Sequence, residues 1–393
     1  MSTCLPHLAN PLKDAACSTL WQRLQAWQVR TLAVVGMTKN TGKTVCLNHL
    51  LQQARLAHVP VGLTSIGRDG EARDQVFQFA KPPVCVTAGS LIATARGTLP
   101  RSKVRARAID GTGIDSPMGE ILVVKALDDG EMEVAGASRS CDQQQVLARL
   151  RQCGADVVLL DGALGRSHHA SPAMADAVVL ATGAAIGGGM DDVLRKTRDR
   201  LAILGIQQVD DATHARVSPL FEQGGIAAWQ AHGACVFKEA IPTLNAAEVM
   251  RAWRHDDLAM VAVTGAVGRQ LWRAVHDLLR VHPGLTLVVG DGTRLFIDAS
   301  DVKAFEQAGG RLLALQGIHL LGITLNPFSP FGGSFDPERF LAHARRAWPH
   351  HLVTDVMLQQ AAMGLPQPVP PATPAMPPAP DHHTVSTSHK EAP

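Results

Sequence analysis

The stretch TLAVVGMTKNTGKT, residues 31–44, constrains the fold more than any other part of the chain. It joins an apolar run that ends at Gly36 to a short polar loop, and the loop ends in Gly42, Lys43 and Thr44. Apolar residues then recur at the spacing of a helix that packs on a sheet: Leu47, Leu50, Leu51 and Ala54. The pattern predicts a buried strand that runs through a glycine-containing loop into a helix.

A loop of this kind is suited to hold phosphate groups. Phosphate binding needs backbone N–H groups that face one point, small residues that let the backbone come close, and a helix amino terminus that favours negative charge. In such a loop Lys43 would neutralise the terminal phosphates and the Thr44 hydroxyl would bind Mg²⁺. The residues expected around the phosphates are Gly36, Thr38, Lys39, Asn40, Thr41, Gly42, Lys43, Thr44 and Val45. The alternative is a plain strand–loop–helix connection, since the five residues between Gly36 and Gly42 depart from the common spacing of four.

Strand and helix patterns alternate along most of the chain. Continuous apolar strands separated by helices are typical of a parallel sheet that is covered on both faces. We therefore predict an α/β fold with a leading helix within residues 1–30 and a nucleotide-binding domain over 31–210. A second series of strands predicts a smaller α/β domain over 225–360. Residues 366–393 are rich in Pro and are predicted to be disordered.

Two acidic segments supply candidate metal ligands and catalytic groups. In VVLLDGALGR an apolar strand ends at Asp161, which could meet Mg²⁺ directly or through water. In TSIGRDGEARD, Asp69 and Glu71 follow the second strand, and the carboxyl ends of parallel strands face the ligand crevice. Asp69 ranks first because it directly precedes Gly70; for both segments a hydrophilic turn is the alternative. The predicted catalytic residues are Lys43, Asp69 and Asp161, and the predicted Mg²⁺ ligands are Thr44, Asp69 and Asp161.

The nine residues GMTKNTGKT resemble the loop of the dethiobiotin synthetase and cobyrinic acid amide synthase group, in which five residues also separate the two glycines. Members of this group are P-loop proteins with a parallel sheet, and Asp161 is similar in its place to their later acidic strand end. The resemblance implies ATP and Mg²⁺ as cofactors. Lys39 lies near the position of an extra lysine in some dimerising relatives, which leaves a homodimer open.

Several segments taken together resemble the P-loop subunit of the lysine 5,6-aminomutase reactivating factor. They are VVGMTKNTGKTVCLNHL, VGLTSIGRDGE, LLDGALGRS, ADAVVLATGA and GITLNPFSPFGGSFDPERFL, within residues of about 31–360. This resemblance implies an ATPase that acts with a second subunit to replace the inactivated cofactor of a cobalamin-dependent aminomutase.

Two other functions remain open at the level of the sequence. A ligase of the dethiobiotin synthetase type would act on a small carboxylate or amine, and it needs a basic pocket beside Lys43, for which Arg68, Lys81 and Arg166 are candidates. A nucleotide sensor without significant turnover is the third possibility, because no water-positioning residue is assured.

The strand ends of the second series carry polar groups that could line a further crevice for a small ligand or a partner: Asp291, Thr293, Arg294 and Asn326. A purely structural second domain is the equally weighted alternative. Phe328 and Phe331 follow in the segment PFSPFGG, either as exposed anchors or folded back onto the core.

Composition limits the partners. The chain has 37 basic and 35 acidic residues and no Lys/Arg-rich block, which argues against an extended nucleic-acid surface. The amino terminus does not have the pattern of a secretory signal, and no continuous apolar run is long enough for a membrane span. Seven cysteines without a C-x-x-C pair fit a reducing compartment. We therefore expect a cytoplasmic protein with no nucleic-acid or membrane partner.

Overall fold

The computed structural model describes residues 17–66, 83–163, 171–241, 243–253 and 257–362. The strands in this part of the chain are β1 Thr31–Gly36, β2 Val61–Ser65, β3 Val84–Val86, β4 Leu91–Ala95, β5 Ala106–Ser116, β6 Gly119–Ala126, β7 Gly130–Met132, β8 Val157–Ala163, β9 Ala177–Gly183, β10 Ile226–Gln230, β11 Cys235–Glu239, β12 Leu258–Val263, β13 Thr286–Val289, β14 Arg311–Ala314, β15 Leu320–Asn326 and β16 Val353–Thr354. The α-helices are α1 Leu20–Ala26, α2 Lys43–Leu56, α3 Ser140–Gln152, α4 Met190–Leu204, α5 Asp211–Gln223, α6 Thr243–Ala252, α7 Arg269–Val281, α8 Ala299–Gln307, α9 Pro337–Ala347 and α10 Val356–Ala362.

The larger sheet, called here the first sheet, has nine strands in the order β16-β15-β9-β1-β8-β2-β4-β6-β5. The strands from β16 to β4 are parallel, as predicted, whereas β6 is antiparallel to β4 and β5 is antiparallel to β6. The sheet is therefore mixed, which corrects the expectation of a purely parallel one. Only Pro117 and Met118 separate β5 from β6, and such a short turn can join antiparallel strands only.

A second departure from a simple parallel sheet lies in the segment PPVCVTA. Its apolar pattern predicts a further strand of the main sheet, but it forms the short strand β3, which pairs with β7 in a separate two-stranded sheet. The Asn48 side chain on α2 holds this strand: its Nδ2 donates to the Pro83 carbonyl oxygen over 3.1 Å, and its Oδ1 accepts from the Cys85 N–H over 3.0 Å. The strand is thus fixed on a helix rather than in the first sheet.

Helices cover both faces of the first sheet, as predicted. Side chains of α1, α2 and α10 pack on one face, and side chains of α3, α4 and α9 pack on the other. The predicted leading segment contains the helix α1, which begins with a capping box formed by Thr19 and Gln22. This helix buries Leu20, Trp21 and Leu24, which lie at helical spacing.

The second sheet has five strands in the order β11-β10-β12-β13-β14. Strands β12, β13 and β14 are parallel, and β10 runs antiparallel to both of its neighbours. Side chains of α6, α7 and α8 pack on one face, and side chains of α5 pack on the other. This unit lies between β9 and β15 in the chain.

The predicted range 225–360 for a second domain does not match the sheets. Strand β15 pairs in parallel with β9, and β16 pairs with β15, so both belong to the first sheet. The chain therefore enters the second sheet after α4 and returns to the first sheet at Leu320. Alternation of strands and helices predicts parallel strands, but it does not predict which sheet each strand joins. The other predicted region, 366–393, lies outside the described residues.

Candidate functional site

The connection from β1 to α2, called here the 36–44 loop, has an unusual backbone. Asn40 has a φ of 64° and Gly42 a φ of 90°, both in the left-handed region. Glycine adopts this conformation without strain, and asparagine tolerates it better than most residues. Gly42 is also the N-cap of α2 and has no side chain with which to cap the amides of the first helical turn. The loop therefore turns sharply into an uncapped helix amino terminus.

The loop closes tightly on Gly36. A Cβ atom on this residue would lie 2.4 Å from Thr41 Oγ1 and 2.9 Å from Lys43 Nζ. Thr41 Oγ1 donates to the Thr38 carbonyl oxygen over 3.0 Å, and Lys43 Nζ donates to the same oxygen over 3.3 Å. The lysine thus folds back across the loop, so its positive charge lies over Gly36 instead of pointing into solvent.

Exposure varies along the predicted phosphate-contacting residues. Gly36, Thr41 and Thr44 are buried, and Thr44 is 5% exposed. Gly42, Lys43 and Val45 are half-buried, whereas Thr38, Lys39 and Asn40 are exposed. The loop thus presents three consecutive residues to solvent and encloses the residues that determine its shape.

The sheet brings one predicted acidic residue to this loop. Strand β8 lies beside β1, and Asp161 is in register with Val34. The Asp161 side chain is half-buried, and the residue lies at the end of the parallel strands at which the loop begins. On the other side of β8, Ser65 at the end of β2 is in register with Asp161. The predicted juxtaposition of Asp161 with the 36–44 loop therefore follows from adjacent parallel strands.

The remaining candidate residues lie outside the described residues: Arg68, Asp69, Glu71, Lys81 and Arg166. Their roles stay predictions.

Asn326 belongs to this site, although sequence reasoning assigned it to a crevice of the second domain. It ends β15, and its side-chain Nδ2 donates to the Asn40 carbonyl oxygen over 2.8 Å. Its Oδ1 accepts from the Phe328 N–H over 3.2 Å. The signal was present in the pattern of a strand that ends in a polar residue. It was misread because β15 was counted with the wrong sheet.

Below the loop, α2 buries two ionisable side chains in uncharged form. Burial raises the pKa of the Cys46 thiol to about 12, and a hydrogen bond with Thr324 opposes that rise. Burial lowers the pKa of His49, which is 1% exposed, to about 4. The Cys46 thiol is therefore protonated at neutral pH and unsuited to act as a nucleophile. Both side chains leave the interior face of the helix uncharged.

The polar residues that follow β13, beginning with Asp291, form a contact region between the two sheets, called here the joint. Asp291 is 3% exposed and accepts hydrogen bonds from Ser171 Oγ and the Thr293 N–H, each over 2.8 Å. A Cβ atom on Gly292 would lie 2.2 Å from the Ile203 carbonyl oxygen, so this turn rests directly on the backbone of α4. The expected ligand crevice is therefore wrong for Asp291, which is engaged in packing.

Burial lowers the pKa of Arg200 on α4 to about 10, and the Asp291 charge raises it. The joint thus holds a buried carboxylate within electrostatic reach of the Arg200 guanidinium. Removing the Asp291 charge would leave the buried guanidinium without this favourable interaction.

Among the described residues, no group of three or more His, Cys, Asp or Glu side chains is arranged to hold a metal ion. Of the helices that the structure describes, none combines the length and the apolar character needed to cross a membrane.

Comparisons with protein-family models, with curated proteins and with solved structures gave no match to this chain. The geometry of the 36–44 loop and its neighbours is therefore the basis for a function.

Proposed function

We propose that the 36–44 loop binds the phosphates of ATP together with Mg²⁺, and that the protein is a P-loop ATPase. The observation that carries the proposal is the position of Lys43, whose Nζ would be 2.9 Å from a Cβ atom on Gly36. Because Gly36 has no side chain, the Lys43 ammonium group can lie against the loop beside an uncapped helix start, and this combination fits an anionic ligand.

In this proposal the site residues have the following roles. Lys43 neutralises phosphate charge, and Thr44 and Asp161 hold Mg²⁺, with Asp69 as a further metal ligand and catalytic group. These residues would hold Mg²⁺ beside the phosphates, and the metal would supply electrostatic stabilisation of the charge that develops during phosphoryl transfer. The protein contributes mainly position, because phosphoryl transfer needs little covalent chemistry from side chains.

We further propose that ATP turnover drives cofactor exchange in a cobalamin-dependent aminomutase, together with a second subunit. The resemblance of five sequence segments to the reactivating factor supports this use. The fold is compatible with such a coupled function. Helix α4 begins after β9, which is next to β1, and it ends at the joint, where it contacts Gly292. A helix of 15 residues spans on the order of 20 Å, so a rigid element links the loop end of the first sheet to the second sheet.

The experiment begins with calorimetry of a nonhydrolysable ATP analogue, with and without Mg²⁺. Lack of binding to the wild-type protein would refute the proposed site. If it binds, ADP release is measured for the protein alone, with small carboxylates and amines, and with the second subunit plus an aminomutase that carries damaged cofactor. We expect low basal release, a rise with the aminomutase complex, and recovery of mutase activity on addition of intact adenosylcobalamin. A small-molecule product formed in proportion to ADP, without recovery of the mutase, would instead identify a ligase.

A further inference from the structure

We infer that Asn326 is a positioning residue that clamps the 36–44 loop in its phosphate-binding shape, and that it acts on nucleotides through the loop and not through the base. This inference rests on the proposed ATP site. Its basis is that one side-chain amide joins two separate segments: Nδ2 donates to the Asn40 carbonyl oxygen over 2.8 Å, and Oδ1 accepts from the Phe328 N–H over 3.2 Å.

The clamp meets the loop where its backbone needs support. Asn40 has a φ of 64° and Gly42 a φ of 90°, and a non-glycine residue in this region persists only when its surroundings hold it there. The hydrogen bond from Asn326 ends on the carbonyl group of Asn40 itself. A Cβ atom on Gly42 would also lie 3.0 Å from Asn326 Cβ, so the side chain packs against the second left-handed residue as well.

The backbone of Asn326 is in turn held in place by the neighbouring strand β9. A Cβ atom on Gly183, at the end of β9, would lie 2.1 Å from the Asn326 carbonyl oxygen. Strand β9 lies between β15 and β1, so the backbone of Asn326 is fixed by the first sheet while its side chain reaches over to the loop. The clamp therefore transmits the rigidity of the sheet to the loop.

A clamp and a base-reading residue make different predictions. If Asn326 shapes the phosphate site, its loss weakens every ligand that uses that site by the same factor, whatever base the ligand carries. Loss of one hydrogen bond in such a role corresponds to about fivefold to tenfold in affinity. If Asn326 reads a base, its loss weakens one nucleotide and leaves inorganic tripolyphosphate unaffected.

The test uses the full chain and three probes with Mg²⁺: ATP in nonhydrolysable form, the corresponding GTP analogue, and inorganic tripolyphosphate. Calorimetry is carried out on the wild type, Asn326→Ala and Asn326→Asp. The aspartate keeps the size and the acceptor for the Phe328 N–H, but it removes the donor to Asn40. We expect Asn326→Ala to weaken all three probes by about fivefold to tenfold, and Asn326→Asp to weaken them at least as much.

Asn48→Ala is the matched control, because the Asn48 amide also holds backbone groups of another segment, Pro83 and Cys85, but away from the loop. We expect it to leave all three affinities unchanged. A base-selective loss in Asn326→Ala, or unchanged tripolyphosphate affinity in the folded Asn326→Asp variant, overturns the clamp while the ATP site stands. Failure of the wild type to bind any of the probes refutes the ATP site, and the clamp with it.

Discussion

Two strand-to-helix connections in this molecule have the same order of elements, but they differ in whether they could hold a phosphate group. The 36–44 loop joins β1 to α2, and residues 264–268 join β12 to α7. In both, a buried strand of a parallel pair passes through a loop to a glycine N-cap, and the helix starts with a basic residue, Lys43 or Arg269.

The difference lies in backbone conformation and in the direction of the basic side chain. Gly42 has a φ of 90°, whereas Gly268 has a φ of −94°, which any residue can adopt. Lys43 folds back onto its own loop, while Arg269 points away to an ion pair with Asp298, 3.6 Å between Nη2 and Oδ2. Both partners of that ion pair are largely exposed, so it contributes little stability.

The backbone of the second connection, residues 264–268, also forms hydrogen bonds with a neighbouring segment. The Val267 N–H donates to the Arg294 carbonyl oxygen over 2.8 Å, and the Phe296 N–H donates to the Val267 carbonyl oxygen over 2.9 Å. A strand, a glycine and a helix are therefore not enough for a phosphate site. The loop must also turn its basic side chain inward.

Replacing the two basic residues is the most direct way to break this comparison. Lys43→Ala should reduce affinity for a nonhydrolysable ATP analogue by about 10- to 150-fold, because a hydrogen bond to a charged group contributes about 1.5–3 kcal/mol. Arg269→Ala should leave that affinity unchanged. Calorimetry with Mg²⁺ present measures both. Equal effects of the two substitutions would remove the distinction between the loops.

Replacing Asp161 or Asp291, which lie near strand ends of the first and second sheets, sharpens the comparison further. Asp161→Asn should lower Mg²⁺-dependent ADP release by about 10- to 100-fold while changing nucleotide affinity less, since the metal mainly stabilises developing charge. Asp291→Asn, in the joint between the sheets, should lower the melting temperature and should not change the ratio of turnover to binding in the folded protein. Turnover assays and thermal melts separate the two. If Asp161→Asn reduced turnover and nucleotide affinity by the same factor, this result would contradict the role assigned to Asp161.

The helix behind the 36–44 loop gives a pH-dependent prediction. His49 has a pKa of about 4 in the folded protein because it is buried, against 6.5 in the unfolded chain. Between these values the unfolded chain binds more protons, so stability falls as pH drops from 6.5 towards 4. The loss from this residue between pH 7 and pH 5 should be about 2 kcal/mol.

Denaturant unfolding of the wild type and of His49→Leu at both pH values isolates this contribution. The wild type should lose more stability than the variant on acidification. An identical pH dependence would show that His49 is not held in its neutral form by burial.

The two N-cap glycines provide the smallest of these effects and a matched pair. Gly42→Ala places a Cβ at a φ of 90° and 3.0 Å from Asn326 Cβ, so it should destabilise the fold by about 1–2 kcal/mol. Gly268→Ala has open space for its Cβ and an ordinary φ, so it should be neutral or stabilise by up to about 1 kcal/mol. Unfolding free energies of both variants check this, and a stabilising Gly42→Ala would rule out a strained loop.

Local pattern was sufficient for those parts of the protein that depend on neighbours in sequence. The helix α1, the glycine-to-helix transition at Gly42 and the strand that carries Asp161 were all readable, because burial periodicity and capping are properties of short segments. The pairing of β1 with β8 puts Asp161 in register with Val34, shortly before the 36–44 loop begins.

Sheet membership was decided only by the tertiary structure. Nothing local distinguishes β15 from the strands of the second sheet, yet its pairing with β9 moves Asn326 from the expected second crevice to Asn40. The same applies to Asp291, whose strand end is closed by Ser171 from a distant part of the chain. Sequence by itself predicted α1, the strand–loop–helix unit from β1 to α2 with its glycines, and strands such as β8 and β12. It did not predict β4, β5, β10, β11 or α5. Which strands share a sheet, and so which polar ends meet, depends on pairing over long sequence separations, for which short-range periodicity carries no information.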